Sequence, residues 1–114
     1  MKTLMIDDCS ARMKIMFRTF TDMFFAENEE EGLTILKEQN IDVILMDDNL
    51  CTDRTGIDIV KDLRLSGNKA RIIMFSSDDK RNDYGILAGA DDKWNKKDLG
   101  KEGWKNDLLA KIEG

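Results

Sequence analysis

Apolar residues gather in short runs at 3–6, 23–26, 41–46 and 72–75, with a weaker one near 93–94. Runs of this length, bounded by polar residues and too short for helices, predict five buried strands. The stretches between them change period. Met13, Met16, Phe17 and Phe20 recur at i, i+3, i+4 and i+7, predicting one helix over 10–20. Asn28 can cap a second helix carrying Leu33 and Leu36, with Glu29, Glu30 and Glu31 in the first turn, where negative charge suits the helix dipole. Ile59, Val60 and Leu63 mark a third helix ending near Ser66-Gly67-Asn68, and Tyr84, Leu87 and Ala88 a fourth ending at Gly89. Trp104, Leu108 and Ile112, at i, i+4 and i+8, mark the fifth.

Strand and helix therefore alternate five times, with connections too long for hairpins. That order predicts a parallel sheet covered on both faces. No linker or low-complexity segment interrupts it, so residues 1–114 are read as one domain. In such sheets a site forms beyond the carboxyl ends of the strands, where the strand order reverses.

Those strand ends carry the chemistry. Asp7 and Asp8 follow Leu4-Met5-Ile6, Asp47 follows Val43-Ile44-Leu45-Met46, Ser76 follows Phe75, and Lys96 lies just past Trp94. An aspartate pair after a strand is commonly a turn or helix cap, and a single Lys96 or Ser76 is commonly a surface or backbone-satisfying group. Complementary groups on four strand ends are a different matter. Three crowded carboxylates repel one another unless they share a cation. Mg²⁺ suits them, because it takes hard oxygen ligands and only one or two carboxylates besides water and phosphate oxygens. A carboxylate can also be the nucleophile in phosphoryl transfer, where catalysis is mostly alignment and charge neutralisation. Asp47 is best placed for that role, with Lys96 pairing one phosphoryl oxygen and Ser76 donating a hydrogen bond to another.

Composition narrows the choice. With no histidine, the chain excludes Ser-His and Cys-His catalysis and cannot itself carry phosphohistidine. A formal charge of −5 argues against DNA or RNA as a direct partner. No apolar run approaches membrane-spanning length, and Leu4 already begins a strand pattern without a signal-like leader, so a cytoplasmic location is expected. Cys9 and Cys51 are too few for a disulfide framework and lack the paired spacing of a zinc motif, leaving small side chains as the expected reading.

Along essentially its whole length the chain resembles the response-regulator receiver domain. The resemblance is carried by Met5-Ile6-Asp7-Asp8, by 42–47 with Gly56 downstream, by Ile72-Ile73-Met74-Phe75-Ser76-Ser77, and by Gly89-Ala90-Asp91-Asp92-Lys93-Trp94-Asn95-Lys96. It implies a flavodoxin-like sheet of order 2-1-3-4-5. It also implies an Asp47 that accepts a phosphoryl group from the phosphohistidine of a sensor histidine kinase or phosphotransfer protein. Mg²⁺ would then be held by Asp8, Asp47 and the backbone carbonyl of Asn49, with Asp7 acting mainly through water. Asp48 competes as acceptor, since a strand one residue longer would put Gly56 at the family's more usual distance; the run ending at Met46 favours Asp47.

Three positions depart from the family pattern. Lys97 follows the lysine where proline is usual, which leaves the Lys96–Lys97 bond either trans with a rearranged loop or cis under strain. Cys51 replaces the usual proline four residues past the acceptor, so a less constrained loop is expected. Lys93 takes the usual aromatic position, with Trp94 expected inward and Lys93 outward. Asp78, near the expected approach of a hydrolytic water, is expected to affect phosphate lifetime. Lysines 93, 96, 97, 101, 105 and 111 form a basic stretch that reads equally as a solvated helix face or an acidic-partner surface.

The leading expectation is a phosphorylation-controlled switch, a receiver without an output domain of its own, that catalyses its own phosphorylation and dephosphorylation and changes affinity for an output protein. A phosphorylation-dependent homodimer is one assembly the resemblance allows. The rival readings are a phosphorylation-independent interaction module on the same fold and, less favoured, a small Mg²⁺-dependent phosphatase, for which 114 residues leave no substrate cap.

Overall fold

A computed structural model describes all 114 residues. Five parallel strands, β1 (Thr3–Ile6), β2 (Met23–Ala26), β3 (Val43–Met46), β4 (Arg71–Met74) and β5 (Asp92–Lys93), lie in the order β2-β1-β3-β4-β5. This is the flavodoxin-like arrangement expected. Five helices connect or follow them: α1 (Ser10–Met16), α2 (Glu29–Glu38), α3 (Gly56–Leu65), α4 (Asp79–Ala88) and α5 (Trp104–Glu113).

Because successive strand side chains point to opposite faces, the sheet sorts its apolar residues into two cores. Leu4, Ile6, Ile44, Met46, Ile72 and Met74 pack with Ile59, Val60 and Leu63 of α3, joined by Leu36 of α2 and Ala88 of α4. Met5, Val43, Leu45, Ile73 and Phe75 pack with Met13 and Phe17 on the α1 side and with Trp104, Leu108 and Ile112 of α5. Strands buried on both sides read as continuous apolar runs, which is why the sequence shows runs rather than alternation.

Capping sets where the helices start. Asn28 Oδ1 accepts from the backbone N–H of Glu31 at 2.9 Å, as expected. Thr55 and Asp58 form a capping box on α3, and Asp78 Oδ1 accepts from the N–H groups of Lys80 and Arg81. The first helix differs from its predicted span. It ends at Met16, and 17–20 continue as turns before Asp22, at φ 54°, redirects the chain into β2. Thr19 and Thr21 are weak helix formers, and an aspartate tolerates the left-handed conformation that the reversal needs. Phe20 nevertheless packs as its spacing implied, 4.7 Å from Phe17 and stacked at 6.0 Å on Trp104.

β5 begins at Asp92, and Trp94 extends its ladder by donating to Met74 O at 2.8 Å. Trp94 is buried and stacks on Phe75 at 5.7 Å, while Lys93 is exposed, the orientation expected. The basic stretch is largely paired within the chain: Lys93 with Asp83, Lys101 with Asp98, and Lys111 with Asp92. No helix is long and apolar enough to cross a membrane.

Candidate functional site: an acidic cluster at the strand ends

Each site residue is placed by the sheet ladder continuing one step beyond its strand. Asp7 N–H donates to Ala26 O at 2.9 Å, and Asp47 N–H donates to Ile6 O at 3.0 Å, bringing the ends of β1 and β3 side by side. Lys96 N–H donates to Ser76 O at 3.1 Å, anchoring the loop after β5 to the end of β4.

The side chains converge. Lys96 Nζ lies 2.5 Å from Asp7 Oδ2 and 3.3 Å from Asp47 Oδ2, so one ammonium bridges two carboxylates. Its Nζ lies over the Phe75 ring, 5.6 Å from the centroid. Asp8 lies beside this pair, accepting from the Cys51 thiol at 3.0 Å. Asp7 Oδ1 accepts from Cys9 N–H at 2.8 Å. Asn49 is exposed in the loop after β3, its Oδ1 accepting from Cys51 N–H at 3.1 Å.

Electrostatics follow from that crowding. Burial raises the Asp47 carboxyl from 3.8 to about 6, with Asp7 and Asp8 adding to the rise and Lys96 opposing it. Burial works against the Lys96 charge, but Asp7 and Asp47 outweigh it and hold the ammonium above the ordinary lysine value. The Asp8 charge pushes the Cys9 thiol up, and the hydrogen bond to Asp8 does the same for Cys51.

The cluster fits a divalent cation. Three carboxylates against one ammonium leave two negative charges uncompensated. Asp7 is fully buried, and the Lys96 ammonium is the cation that faces its Oδ2. A hard-oxygen cluster with excess negative charge is the donor set that Mg²⁺ takes.

Asp48 faces the other way. It accepts from Arg81 Nε at 2.7 Å and Nη2 at 3.3 Å, and from Ile57 N–H at 3.3 Å, tying β3 to α3 and α4. Gly56 makes this turn feasible: its N–H donates to Asp48 O at 2.8 Å, and a Cβ there would stand 2.1 Å from Asp47 O.

A family model, the response regulator receiver domain, matches residues 3–102. The chain belongs to this family. Among solved structures, the receiver resembles chemotaxis protein CheY4 of Vibrio cholerae, at 21% identity and TM-score 0.75, covering 98% of this chain and 95% of that one. It also resembles the receiver domain of the Francisella response regulator 1452, at 24% identity and TM-score 0.78, covering 98% and 93%. A third is the N-terminal signal receiver domain of a Bacteroides fragilis response regulator, at 18% identity and TM-score 0.78, covering 97% and 95%. No curated protein matches the chain. Membership makes the receiver a component of two-component signalling, working between a phosphodonor and an output partner.

The departures from the family pattern now have local explanations. The Lys96–Lys97 bond of this receiver is trans, and Lys97 N–H donates to Asn95 Oδ1 at 2.8 Å at the start of a 3-10 turn over Lys96–Asp98. Cys51 has φ 56°, which a proline ring cannot adopt. Lys93 Nζ meets Asp83 of α4 at 2.5 Å where an aromatic is usual. The Asp78 carboxylate is turned into the start of α4 as its cap.

Sequence reasoning missed two contributors on α4. Asn82, only 1% exposed, holds the Ser76 backbone from both sides: its Nδ2 donates to Ser76 O at 2.9 Å and its Oδ1 accepts from Ser76 N–H at 3.1 Å. Arg81 pairs with Asp48. Asn82 carried a faint signal, being a polar residue three positions before Gly85 on the face that packs against Met74. Arg81 carried none, since its partner lies 33 residues away.

Proposed function

We propose that this receiver, one domain over residues 1–114 and cytoplasmic, is a phosphorylation-controlled switch in which Asp47 accepts a phosphoryl group from the phosphohistidine of a sensor histidine kinase or phosphotransfer protein. The observation that carries the reading is the Lys96 ammonium shared between Asp7 and Asp47, while Asp48 is engaged by Arg81. Asp47 Oδ attacks phosphorus, the phosphorus–nitrogen bond of the donor breaks, and the imidazole leaves with the electron pair. The product is an aspartyl phosphate, and water later takes the phosphoryl group from it. Asp8, Asp47 and the Asn49 carbonyl would hold Mg²⁺, with Asp7 acting through water. Bound there, the cation supplies charge neutralisation for a group that brings about 1.5–2 negative charges. Lys96 exchanges one carboxylate partner for a phosphoryl oxygen. The Ser76 hydroxyl, whose oxygen accepts from Asp78 N–H at 3.1 Å, keeps its own proton free to donate to another.

Support for a signalling output through α4 comes from Asn82 and Arg81, which tie that helix to the residues beside Ser76 and Asp47. An output protein, or a second phosphorylated copy, would read the change.

The test is incubation with Mg²⁺ and acetyl phosphate or a beryllofluoride mimic, following Trp94 and Trp104 fluorescence and the intact mass. Wild type is expected to gain one adduct with a fluorescence change, and Asp47→Asn neither. An adduct that persists in Asp47→Asn and disappears in Asp48→Asn would move the acceptor. No adduct and no metal binding in wild type would end the reading.

A further inference from the structure

Half of the large apolar side chains that this receiver leaves exposed lie on α3 and α4: Leu65, Tyr84, Ile86 and Leu87, the two leucines 86% and 84% exposed. A groove of about 550 Å³ runs between these helices, with Ile57 and Lys61 on one wall and Arg81, Tyr84, Leu87 and Ala88 on the other. Leu65 stands one turn beyond Lys61 and continues the α3 wall. At the strand end of the groove, the Arg81 guanidinium is held by Asp48 at 2.7 Å and lies 5.8 Å from the centre of the Tyr84 ring. One end of this apolar surface therefore adjoins the residue next to Asp47.

The charges on the two helices decide what fits there. Each of their carboxylates already has a partner inside the chain: Asp58 the Thr55 N–H at 2.9 Å, Asp62 the Arg54 guanidinium, Asp79 the Asn95 amide at 2.8 Å, and Asp83 the Lys93 ammonium. Arg64 and Arg81 are likewise taken, by Asp91 and Asp48. Lys61 and Lys80 form no salt bridge. What remains unmet beside the exposed leucines is positive charge alone. An apolar groove edged by free ammoniums complements an amphipathic helix with leucine-like anchors and acidic flanks. We propose that the α3–α4 groove docks an acidic amphipathic helix of the output protein, its anchors against Leu65, Tyr84 and Leu87 and its carboxylates toward Lys61 and Lys80. The proposal rests on the reading of α4 as the helix that carries the output, but docking itself requires no phosphoryl group.

The test is fluorescence anisotropy on the full chain without phosphodonor. The probe is a labelled synthetic helix of about 16 residues, with leucines at i, i+4 and i+7 and glutamates on both flanks, beside the same peptide with lysines for the glutamates. The acidic peptide is expected to bind saturably and at least about tenfold more tightly than the basic one, the gap narrowing as salt rises. Leu87→Ser is expected to weaken it at least about tenfold, as loss of a leucine anchor does. Lys61→Glu is expected to weaken it about threefold or more at low salt, and Leu109→Ser on α5 to stay within about twofold of wild type. Because Leu87 and Lys61 are exposed, circular dichroism should show both variants folded. Equal binding of the two peptides, or binding that neither groove substitution weakens, overturns the proposal. No peptide binding alongside a dimer in sedimentation equilibrium that Leu87→Ser dissolves also overturns it, assigning the groove to a second copy. An adduct on Asp47 with no peptide binding removes the groove and leaves the phosphorylation reading standing, while groove-dependent peptide binding without any adduct supports the groove and removes that reading.

Discussion

Gly56 is the first residue of α3, and replacing it with alanine gives opposite signs in two accounts of the acceptor loop. At an exposed helix start with ordinary φ, alanine reduces the freedom of the unfolded chain and stabilises by about 0.4–1 kcal/mol. Here the added Cβ would stand 2.1 Å from Asp47 O and 2.9 Å from Asp48 Cα, against a comfortable separation of about 3.5 Å. Both obstacles are backbone, and Asp47 is fixed by its own N–H bond to Ile6 O at 3.0 Å, so neither can swing aside. Overpacking costs about 1–3 kcal/mol, and losing the 2.8 Å bond from Gly56 N–H to Asp48 O adds about 1 kcal/mol. Gly56→Ala is thus expected to lose about 2–4 kcal/mol, a large part of the usual 5–15 kcal/mol total. With a urea dependence of about 1–3 kcal/mol per molar, the unfolding midpoint should fall by about 1–3 M, followed by circular dichroism. A midpoint equal to or above wild type would refute the claim that this turn holds Asp47 by close backbone approach.

Four further outcomes follow from the same contacts. In metal-free buffer, Asp47→Asn should stabilise the protein by about 1–3 kcal/mol at pH 7.5: the folded carboxyl sits near 6 rather than 3.8, so wild type carries no penalty below pH 4, acquires it between 4 and 6, and keeps it above. A variant less stable than wild type in EDTA would contradict this, and Mg²⁺ should stabilise wild type alone. Asn82→Ala should cost about 1–3 kcal/mol in thermal melts, because it strands the Ser76 N–H and leaves Ser76 O with the Lys96 N–H alone, and should speed exchange of the Ser76 amide; normal protection there would count against the clamp. Asp78→Ala should lose about 1 kcal/mol of cap and change the aspartyl-phosphate lifetime, whereas Asp78→Asn keeps both, so a lifetime altered equally in the two would assign the effect to charge. Cys51→Pro, which restores the family's usual residue, should lower the urea midpoint rather than raise it, because the ring excludes φ 56° and removes the N–H given to Asn49.

Much of this was legible in the sequence for one physical reason. Strands buried on both faces must be apolar throughout, so the first polar residue after each run marks a strand end, and Asp7, Asp47 and Ser76 were found that way. The choice between Asp47 and Asp48 was harder, because neighbouring residues leaving a strand point to opposite sides and a one-residue error exchanges them. In the fold, Asp47 meets Lys96 and Asp48 meets Arg81. The early end of α1 was hidden because Phe20 keeps its packing from a turn as well as it would from a helix. Asn82 and Arg81 were missed because their partners are defined only once α4 is laid beside β3 and β4.

The two missing prolines share a replacement. In each case the residue at the expected proline position donates its N–H to the side-chain oxygen of an asparagine two residues earlier: Cys51 to Asn49 at 3.1 Å, and Lys97 to Asn95 at 2.8 Å. A proline could make neither bond. Proline stiffens a loop in folded and unfolded chains alike, whereas an asparagine turn holds only while its hydrogen bond lasts. The aromatic position follows the same trade, since Lys93 reaches α4 through the Asp83 carboxylate rather than by apolar packing. Asp48–Arg81 is a second ionic tie to that helix. Charged contacts whose cationic partner is exposed weaken with salt and release individually, while a buried ring moves as a unit. In this receiver, then, the sheet ladder holds the strand ends, and what joins them to α4 is a set of polar ties that the charge of the proposed phosphoryl group at Asp47 would rearrange.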